Sequence, residues 1–391
     1  MQLIKPGTTF DFVGNRRIFG AVSAVLVAIS LLLFVFVGPN WGIDFTGGTE
    51  IHLKFDQPTD ISELRGSLAE IGLSQDAVQQ INADEDYEFI VRIREATFGA
   101  EEMQTEVTDA LTQRFGDDWI ADSRFDVQVG ARMTIEYVEP QIPLHTIMGA
   151  VEGLQGVSVQ ESPDDRTFYV KLQGLSSRVP QQIGRSLGNK EFQVMAVDTV
   201  GPKVGGDLRR ASFIAMIATL GLVLIYIGFR FDLAFAPGAI AALFHDVTIT
   251  MGLFVIFQRE VNTPMIGALL TIIGYSLNDT IVIYDRIREN MQRYRRSDTT
   301  RLINDSINET LARTLATSLT TLMAVAAFLF LGGPTIQTFA LAMMIGVVVG
   351  TYSTMYVATP MILVMEQVKP HLAKLLVPAN IDEDDDDLDA A

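Results

Sequence analysis

Cysteine is absent from this 391-residue sequence, which excludes disulfide bridges and any chemistry that depends on a thiolate. Basic residues are also scarce, because 29 lysines and arginines stand against 47 aspartates and glutamates and give a formal net charge of -18. This balance argues against a nucleic acid as a partner, since binding to phosphates needs a basic surface. The sequence offers no signature of a metal site, and we expect neither a metal ion nor another cofactor.

Long apolar stretches dominate what is present, and hydrophobic residues make up 48% of the chain. A membrane-spanning helix needs about 20 mostly apolar residues, because lipid offers the backbone no hydrogen-bond partner. Six stretches meet this requirement: Ile18–Val37, Ala211–Phe229, Leu233–Phe257, Pro264–Tyr284, Leu315–Leu331 and Ile336–Met365. They are too long and too many for the buried helices of a soluble protein. The sequence therefore predicts a polytopic α-helical membrane protein with six transmembrane helices.

The distribution of arginine and lysine sets the predicted orientation. Arginines cluster between the fourth and fifth stretches, and the positive-inside rule places that loop in the cytoplasm. Counting crossings from this loop puts both termini inside and the long segment after the first crossing outside. The first stretch is interpreted as an uncleaved crossing, because no small-x-small cleavage site follows it. The predicted domains are a cytoplasmic N-terminus (1–17), transmembrane helix 1 (18–38), an extracytoplasmic domain (39–208), transmembrane helices 2 to 6 (209–366) and an acidic cytoplasmic tail (367–391).

The segment outside the membrane alternates short β-rich runs with amphipathic stretches, a pattern typical of an α+β domain. The order strand–helix–strand–strand–helix–strand occurs once from residue 49 to 129 and again from 132 to 197. We therefore predict two ferredoxin-like units in sequence, each a small sheet with both helices on one face.

Glycine-rich connections join this domain to the membrane helices on both sides. Residues 41–48 lead in and residues 200–206 lead out, and glycine gives such a connection backbone freedom. The candidate hinge residues are Gly42, Gly47, Gly48, Gly201 and Gly205. A rigid interfacial turn, with Trp41 in the aromatic belt of the membrane, is an equally good interpretation.

Ionisable residues inside the apolar stretches are functional candidates, because charge is costly in lipid. Asp246 lies near the centre of the third stretch, and Asn278 and Asp279 lie roughly two-thirds of the way through the fourth. Asp279 is the leading candidate for a proton-binding group, against a purely structural hydrogen-bonding role. For Asp246, titration and simple hydrogen bonding are both left open.

Two further features of the last two stretches invite interpretation. Arg313 opens the fifth stretch and is followed by hydroxyl residues on adjoining faces, which indicates either a hydrated path or a positive-inside arginine with hydroxyls bonded to their own helix. Gly346 and Gly350 form a G-x-x-x-G pair, which favours close helix packing over chemistry.

Four signatures carry a resemblance to a known family. They are GIDFTGG (42–48), VGPKVG (200–205), YSLNDTIVIYDRIREN (275–290) and TLATSLTT (314–321). Together they resemble the SecD/SecF family of protein-export membrane proteins, within the resistance-nodulation-division superfamily. The resemblance covers nearly the whole chain, and the third signature, in its proper place in the fourth crossing, is highly specific.

The resemblance implies a subunit of the Sec translocase in the bacterial plasma (inner) membrane, not an enzyme. With SecD as its partner in a twelve-crossing assembly, such a subunit would use the proton-motive force to assist protein translocation and release. The implied partners are SecD, the SecYEG channel with SecA and YajC, the translocating polypeptide and protons. The resemblance also implies proton-relay roles for Asp279 and Arg313, to which we add Asp246 and Asn278. The domain outside the membrane looks larger than the single small unit usual for such a subunit.

Other functions compete with this interpretation. Half of a proton-driven small-molecule exporter would share the architecture. An intramembrane aspartyl protease would need two neighbouring carboxylates, yet Asp279 and Asp285 point about 120° apart on a helix, which leaves only a dyad of Asp246 and Asp279. A passive scaffold that steadies the translocation channel needs no titrating carboxylate.

Overall fold

The computed structural model describes residues 9–70, 78–80, 87–93, 100–126, 132–138, 142–154, 157–162, 166–172, 180, 183–187, 190–231, 235–294 and 298–376. Two compact units make up the fold. One comprises Met1–Asn40 with Ile214–Ala391, and the other is Trp41–Phe213. Most of the predicted acidic tail, from residue 377 onward, lies outside the described residues.

The helices are α1 (Arg16–Phe36), α2 (Ile43–Thr46), α3 (Ile61–Glu70), α4 (Ala100–Phe115), α5 (Leu144–Val151), α6 (Pro202–Arg230), α7 (Ala236–Ile256), α8 (Thr263–Arg293), α9 (Thr299–Leu331), α10 (Pro334–Ser353) and α11 (Thr359–Leu376), with a 3-10 turn at Asp117–Trp119 and a π turn at Thr354–Ala358. Six of the resulting segments are long and apolar enough to cross a membrane: α1, α6, α7, α8, α9 and the sequence α10–π–α11. The prediction of six transmembrane helices is confirmed.

Five of the six crossings are longer than their predicted apolar stretches. The largest difference is in α9, which begins at Thr299 rather than at Leu315. Its first half is amphipathic and buries Ile303, Ile307 and Leu311, one turn apart, in the same core as Ile287 of α8. Hydropathy marks only the part of a helix that lipid surrounds, so this packed extension was missed.

The sixth crossing is interrupted where α10 meets α11. The Thr359 amide donates to the Thr354 carbonyl, five residues back, which defines the π turn. The Tyr284 hydroxyl donates to the Ala358 carbonyl at 3.0 Å and so supplies a hydrogen bond that the irregular helix does not. Gly238 of α7 faces both groups, and a side chain there would occupy the space that they fill. The break is thus supported by residues of two other helices.

The strands are β1 (Gly48–Phe55), β2 (Val78–Gln80), β3 (Glu88–Ile93), β4 (Ile120–Asp126), β5 (Arg132–Tyr137), β6 (Val157–Glu161), β7 (Thr167–Leu172) and β8 (Phe192–Val200), besides the two-residue strands Asn40–Trp41 and Glu260–Val261. They form two antiparallel four-stranded sheets, ordered β2-β3-β1-β8 and β4-β5-β7-β6. The prediction of an α+β domain is confirmed.

The prediction that the two units follow each other in sequence is wrong. The first sheet takes its fourth strand, β8, from the end of the domain, and the unit containing β4 to β7 is inserted between β3 and β8. The helices follow the same division, because Val107 and Leu111 of α4 join the core of the second sheet, whereas Ile183 and Leu187 join that of the first.

Two physical reasons explain the exchange of strands. Strands β4 and β5 are joined by a short connection and pair as neighbours, with Asp126 opposite Arg132 at the turn. Strand β8 pairs with β1 from Gly48–Val200 to Phe55–Phe192, which brings the two ends of the domain together where the chain connects to α1 and α6. Periodicity finds each strand but carries no information on this long-range pairing.

The incoming and outgoing connections pack against each other. Gly47 has a φ of +74°, and a side chain there would lie 2.9 Å from the Pro202 Cα. Gly205 belongs to the first turns of α6 rather than to a loop, and a side chain there would lie 3.0 Å from the Gly47 amide nitrogen. Gly42 precedes α2 in extended backbone, and Gly48 opens β1. The glycines therefore allow a close contact of two backbones.

A buried ion pair in the first sheet gives a prediction for stability against pH. Glu50 of β1 accepts from His52 at 2.9 Å and from Arg92 of β3 at 2.8 Å, and its side chain is 12% exposed. Burial raises the pKa of Glu50, but the hydrogen bonds and the Arg92 charge outweigh it and hold the pKa below its ordinary value of 4.5. A carboxyl with a lowered pKa stabilises the fold above its unfolded pKa and loses that contribution as pH falls through the folded pKa.

We expect Glu50→Gln to lower the free energy of unfolding by about 1–3 kcal/mol at neutral pH. The difference from the parent protein should shrink as pH falls below 4.5. Urea unfolding of residues 41–201, produced alone, measures both effects. Glu63→Gln removes a partner of Lys190 on the same domain, but from a carboxylate that is 44% exposed, and should cost much less. A loss that is constant across pH would contradict the assignment.

Candidate functional site

Asp246 occupies the centre of a fully buried polar cluster at the middle of α7. Its Oδ2 accepts from the Ser276 hydroxyl of α8 at 2.6 Å and from the Ser353 hydroxyl of α10 at 2.9 Å. Its Oδ1 lies 2.9 Å from Nδ1 of His245. Asp246 is 0% exposed and His245 is 3% exposed. A carboxylate among donors from three helices can stay charged without an unpaired oxygen, and on protonation it would release one of them.

Asp279 lies one turn after Ser276 on α8 and is also buried, but its surroundings are different. The Thr317 hydroxyl of α9 faces the carboxyl group, and the Arg313 guanidinium acts on it electrostatically. Its Oδ2 is buried without a hydrogen-bond partner among the described residues. No ion pair within 4 Å joins it to Arg313 in the described part of the chain. The carboxyl group is therefore incompletely satisfied, with a cation nearby.

Asn278 and Arg313 face outward from the six-helix unit. Both are exposed, as is Thr320 two turns beyond Arg313 on α9. Thr317 lies between these exposed positions and the buried Asp279. A polar face at membrane depth is unfavourable against lipid. The four residues predicted as a relay are thus divided into two buried carboxyl groups and two outward-facing polar side chains.

The two buried carboxyl groups have separate partners. Asp246 is bound by Ser276, Ser353 and His245, whereas Asp279 faces Thr317 and Arg313 of α9. An aspartyl-protease dyad needs two carboxyl groups that share a proton, and no such contact joins these two among the described residues. The two carboxyl groups therefore belong to separate polar sites.

The glycine pair of the sixth crossing lies against α8. A side chain at Gly346 would collide with Ile272, and one at Gly350 would lie 3.1 Å from the Ser276 Cβ and 3.5 Å from Asp246 Oδ2. The close approach of α10 is what allows Ser353 to reach Asp246 from one side while Ser276 reaches it from the other. The packing face therefore also builds the polar cluster.

Gly346→Leu should disrupt this assembly. The added side chain has to displace Ile272, which is 1% exposed in a packed core, and such overpacking costs about 1–3 kcal/mol. We expect a lower yield of folded protein and a lower melting temperature in detergent. Gly221→Leu in α6 meets nothing within 4 Å and is the matched control. Equal melting temperatures for the two variants would contradict a packing role for Gly346.

Charged residues at the end of α8 form ion pairs. Asp285 accepts from Arg230 of α6 at 2.9 Å, and Arg286 donates to Glu289 at 2.6 Å and also to Glu309. These contacts link the end of α8 to α6 and α9.

The sequence did not single out Ser276 or Ser353 as site residues, although each donates to the buried Asp246. Thr317, by contrast, is one of the hydroxyl residues after Arg313 that the sequence indicated as a possible hydrated path. Hydroxyl residues in membrane helices usually bond to their own backbone, as Thr280 and Thr359 do here. Ser276 and Asp279 are three residues apart and share a face, which was the available signal. Ser353 could be placed only by the packing of α10.

Comparison with known proteins identifies the family. The sequence profile of the C-terminal region of the protein export membrane proteins SecD/SecF matches residues 180–368, and that of the SecD/SecF GG motif matches residues 32–59. The protein translocase subunit SecF of Magnetococcus marinus is 34% identical over 94% of this chain and 95% of its own length. The SecF of Pseudomonas aeruginosa is 34% identical over 91% of this chain and 90% of its own.

The crystal structure of SecDF from Thermus thermophilus, described as a translocon-associated membrane protein, superposes with a TM-score of 0.64 at 32% identity. The match covers 94% of this chain but only 40% of the SecDF chain, so this chain spans about two-fifths of that protein. The SecF relatives align over nearly all of their length, so the α+β domain is not an enlargement peculiar to this chain, which corrects that expectation.

The two profile matches include all four signatures that carried the resemblance, and the SecF relatives match over nearly their whole length. The relation is to translocase subunits and does not favour the small-molecule exporter. The chain therefore belongs to the SecD/SecF family of protein-export membrane proteins, as an accessory subunit of the SecF kind in the Sec protein translocase.

Proposed function

We propose that this subunit couples the proton-motive force to protein translocation through Asp279. The observation that carries the proposal is a buried carboxyl group in a membrane helix that lacks a partner on one oxygen while a guanidinium lies beyond hydrogen-bond reach. A carboxyl group with an incomplete set of hydrogen bonds can exchange a proton, whereas arginine stays charged. Two states follow, one with a charged Asp279 close to Arg313 and one with a neutral Asp279 and the two groups apart.

Thr317 can serve both states of Asp279. Its hydroxyl lies 2.9 Å from the Thr314 carbonyl and 3.2 Å from the Arg313 carbonyl, so it has acceptors on its own helix. When Asp279 is neutral, its O–H can donate to the Thr317 oxygen while the hydroxyl bonds to the helix. When Asp279 is charged, rotation of the hydroxyl lets it donate to the carboxylate. Protonation then changes the contact between α8 and α9 without displacing either helix.

The partner in this proposal is SecD, seated on the exposed polar face of Asn278, Arg313 and Thr320. Arginine at membrane depth needs protein or trapped water beside it, and the six helices leave this face open. A single SecDF chain contains a counterpart of nearly all of this chain within 40% of its length, and the remainder would supply such a partner. Contact with SecD would enclose Arg313 and strengthen its electrostatic effect on Asp279.

The orientation belongs to the same proposal, with both termini cytoplasmic and the α+β domain on the outer face of the bacterial plasma membrane. There the domain would contact the translocating polypeptide beside SecYEG, with SecA and YajC as further partners. The packed glycines Gly47 and Gly205 would form one joint through which a change in α6 moves the domain. Their close backbone contact supports concerted motion of the two connections.

Reconstitution tests the proposal. The chain is purified from its own membranes, and we expect a SecD-like protein and channel subunits to accompany it. Vesicles containing this complex should then complete export of a trapped polypeptide when a proton gradient is imposed, and an ionophore should stop it. Export that ignores the gradient, with the complex intact, would favour a passive scaffold and overturn the proposal.

A further inference from the structure

A groove opens on the side of the helical unit, between α1, α7 and the sixth crossing. It encloses about 630 Å³ and is separate from the face that carries Asn278 and Arg313. Arg16, Arg17, Thr300 and Gln367 line it at the helix ends, and apolar residues such as Phe244 and Val364 form its walls. Such a volume holds several water molecules, and its polar end offers them partners.

His245 lies at the wall of this groove and connects it with the buried cluster. Its Nδ1 is 2.9 Å from Asp246 Oδ1. Its Nε2 is buried and has no hydrogen-bond partner among the described residues, although the residue lines the groove. A buried ring nitrogen without a partner needs an explanation, and a water or ion entering from the groove supplies one.

The ring of His245 is held in place from one side. Tyr352 stacks on it with ring centroids 5.9 Å apart and an interplanar angle of 25°. The Tyr352 hydroxyl donates to the Phe19 carbonyl at 2.9 Å and lies 2.9 Å from the Ser23 hydroxyl. The stacking and these bonds to α1 keep Nδ1 directed at Asp246. The ring of His245 is thus held in one orientation, which a residue that only fills space would not need.

We propose that His245 passes protons between the groove and Asp246, so that Asp246 and the groove form a second proton pathway beside Asp279. The inference rests on the proposed proton coupling and adds a route and a residue to it. Ser276 donates to Asp246 and precedes Asp279 by one turn of α8, so α8 contributes a residue to each carboxyl site.

The transfer balances at the imidazole. With Asp246 charged, Nδ1–H donates to it, and Nε2 carries a lone pair towards the groove. A hydronium ion in the groove gives its proton to Nε2 and becomes water, as the Nδ1–H bond breaks and an O–H bond forms on Asp246. The ring is then neutral with its hydrogen on Nε2. Release of that hydrogen to a groove water, with return of the proton from Asp246 to Nδ1, is the reverse step, so the groove both loads and unloads Asp246.

The other titratable groups near His245 belong to the sixth crossing and to α1. Tyr352 and Tyr356 of the sixth crossing lie beside His245, and Tyr356 lines the groove. From α1, Arg16 and Arg17 reach the groove at its open end. Helix α8 adds only the neutral Ser276 to the cluster. None of these groups replaces an imidazole as a carrier at neutral pH, because tyrosine and arginine keep their protons there.

The first test removes the carrier and supplies it from solution. In vesicles containing the chain with its partner, His245→Ala should lower gradient-driven proton flux about 100-fold or more, the usual contribution of a positioned acid–base group. Added imidazole should restore flux, since the groove admits a small ring, whereas pyrazole has the same size but is far less basic and should not. His145→Ala, at an exposed position of α5, is the matched control and should conduct like the parent.

The second test closes the groove and leaves His245 intact. Gly20 of α1 lines the groove, and a Cβ added there meets nothing within 4 Å, so the side chain of Gly20→Phe can enter the groove. We expect the variant to fold normally and to lose flux. Gly221→Phe in α6 also meets nothing within 4 Å, does not line the groove and should conduct normally.

The outcomes separate this inference from the proposed function. Normal flux in both His245→Ala and Gly20→Phe overturns the pathway through the groove, and if Asp279→Asn is inactive in the same vesicles the proposed coupling still stands. Equal rescue by imidazole and pyrazole would show that His245 only fills space, which also overturns the inference. Rescue by imidazole alone supports it.

Discussion

Asp279→Asn should insert, fold and assemble normally while abolishing the response of export to a proton gradient. Asparagine matches the neutral acid in shape and charge, and it can donate to Thr317 as the protonated acid would. It cannot release a proton, so the subunit should be locked in one of its two states. We expect gradient-driven export and proton flux to fall about 100-fold or more, since the residue is the proton carrier itself.

The measurement is completion of export of a reporter in vesicles, after ATP-driven insertion has been halted and a gradient has been imposed. Asp285→Asn, on the same helix but in an ion pair with Arg230 at its end, controls for the loss of a carboxylate. Export and flux equal to the parent in Asp279→Asn, at equal protein level, would make Asp279 a structural residue and the mechanism wrong.

Arg313→Gln should have nearly as large an effect, for a different reason. The guanidinium never releases its proton, but its positive charge favours the ionised form of Asp279. Without that charge the ionised form is destabilised, and the carboxyl group no longer gives up its proton. We expect gradient-driven export to fall about 100-fold, as on removal of a preorganised electrostatic group. Flux measured with a steeper gradient should recover in part, because the carrier itself is still present.

Arg313→Lys separates charge from geometry. Lysine restores a positive charge, but the compact ammonium lacks the planar fork of donors, so rescue should be partial. Arg301→Gln, an exposed residue near the start of the same helix, is the control and should behave like the parent. Full activity of Arg313→Gln would show that the arginine only follows the positive-inside rule.

The helices and strands could be predicted from sequence because each depends on local periodicity. All six crossings were found, and β1 to β8 each fall within or beside a predicted strand. The partners of the strands could not be predicted, because β8 pairs with β1 across the whole inserted unit. Local periodicity carries no information on such long-range pairing. The same limit hid the first half of α9, whose apolar residues face α8 rather than lipid.

The site shows a similar division. Asp246 and Asp279 could be found because a carboxylate in an apolar stretch is conspicuous whatever surrounds it. The serines on Asp246 could not, since Ser276 and Ser353 come from different helices and meet only because Gly346 and Gly350 let α10 approach α8. The two carboxyl groups differ in their surroundings because of the way the helices pack. Neither the composition of the sequence nor the spacing of its residues predicts this difference.

The insertion of one sheet unit inside another constrains the order in which the outer domain is made. Strand β1 leaves the ribosome early, but Thr49 meets Thr199 only after 150 further residues have been synthesised. The inserted unit contains mostly local pairings and can form during that interval, whereas closure of the first sheet is a high-contact-order event and therefore slow. Until β8 arrives, β1 exposes an unpaired edge in a crowded export pathway, which is where misfolding and capture by chaperones are expected to begin.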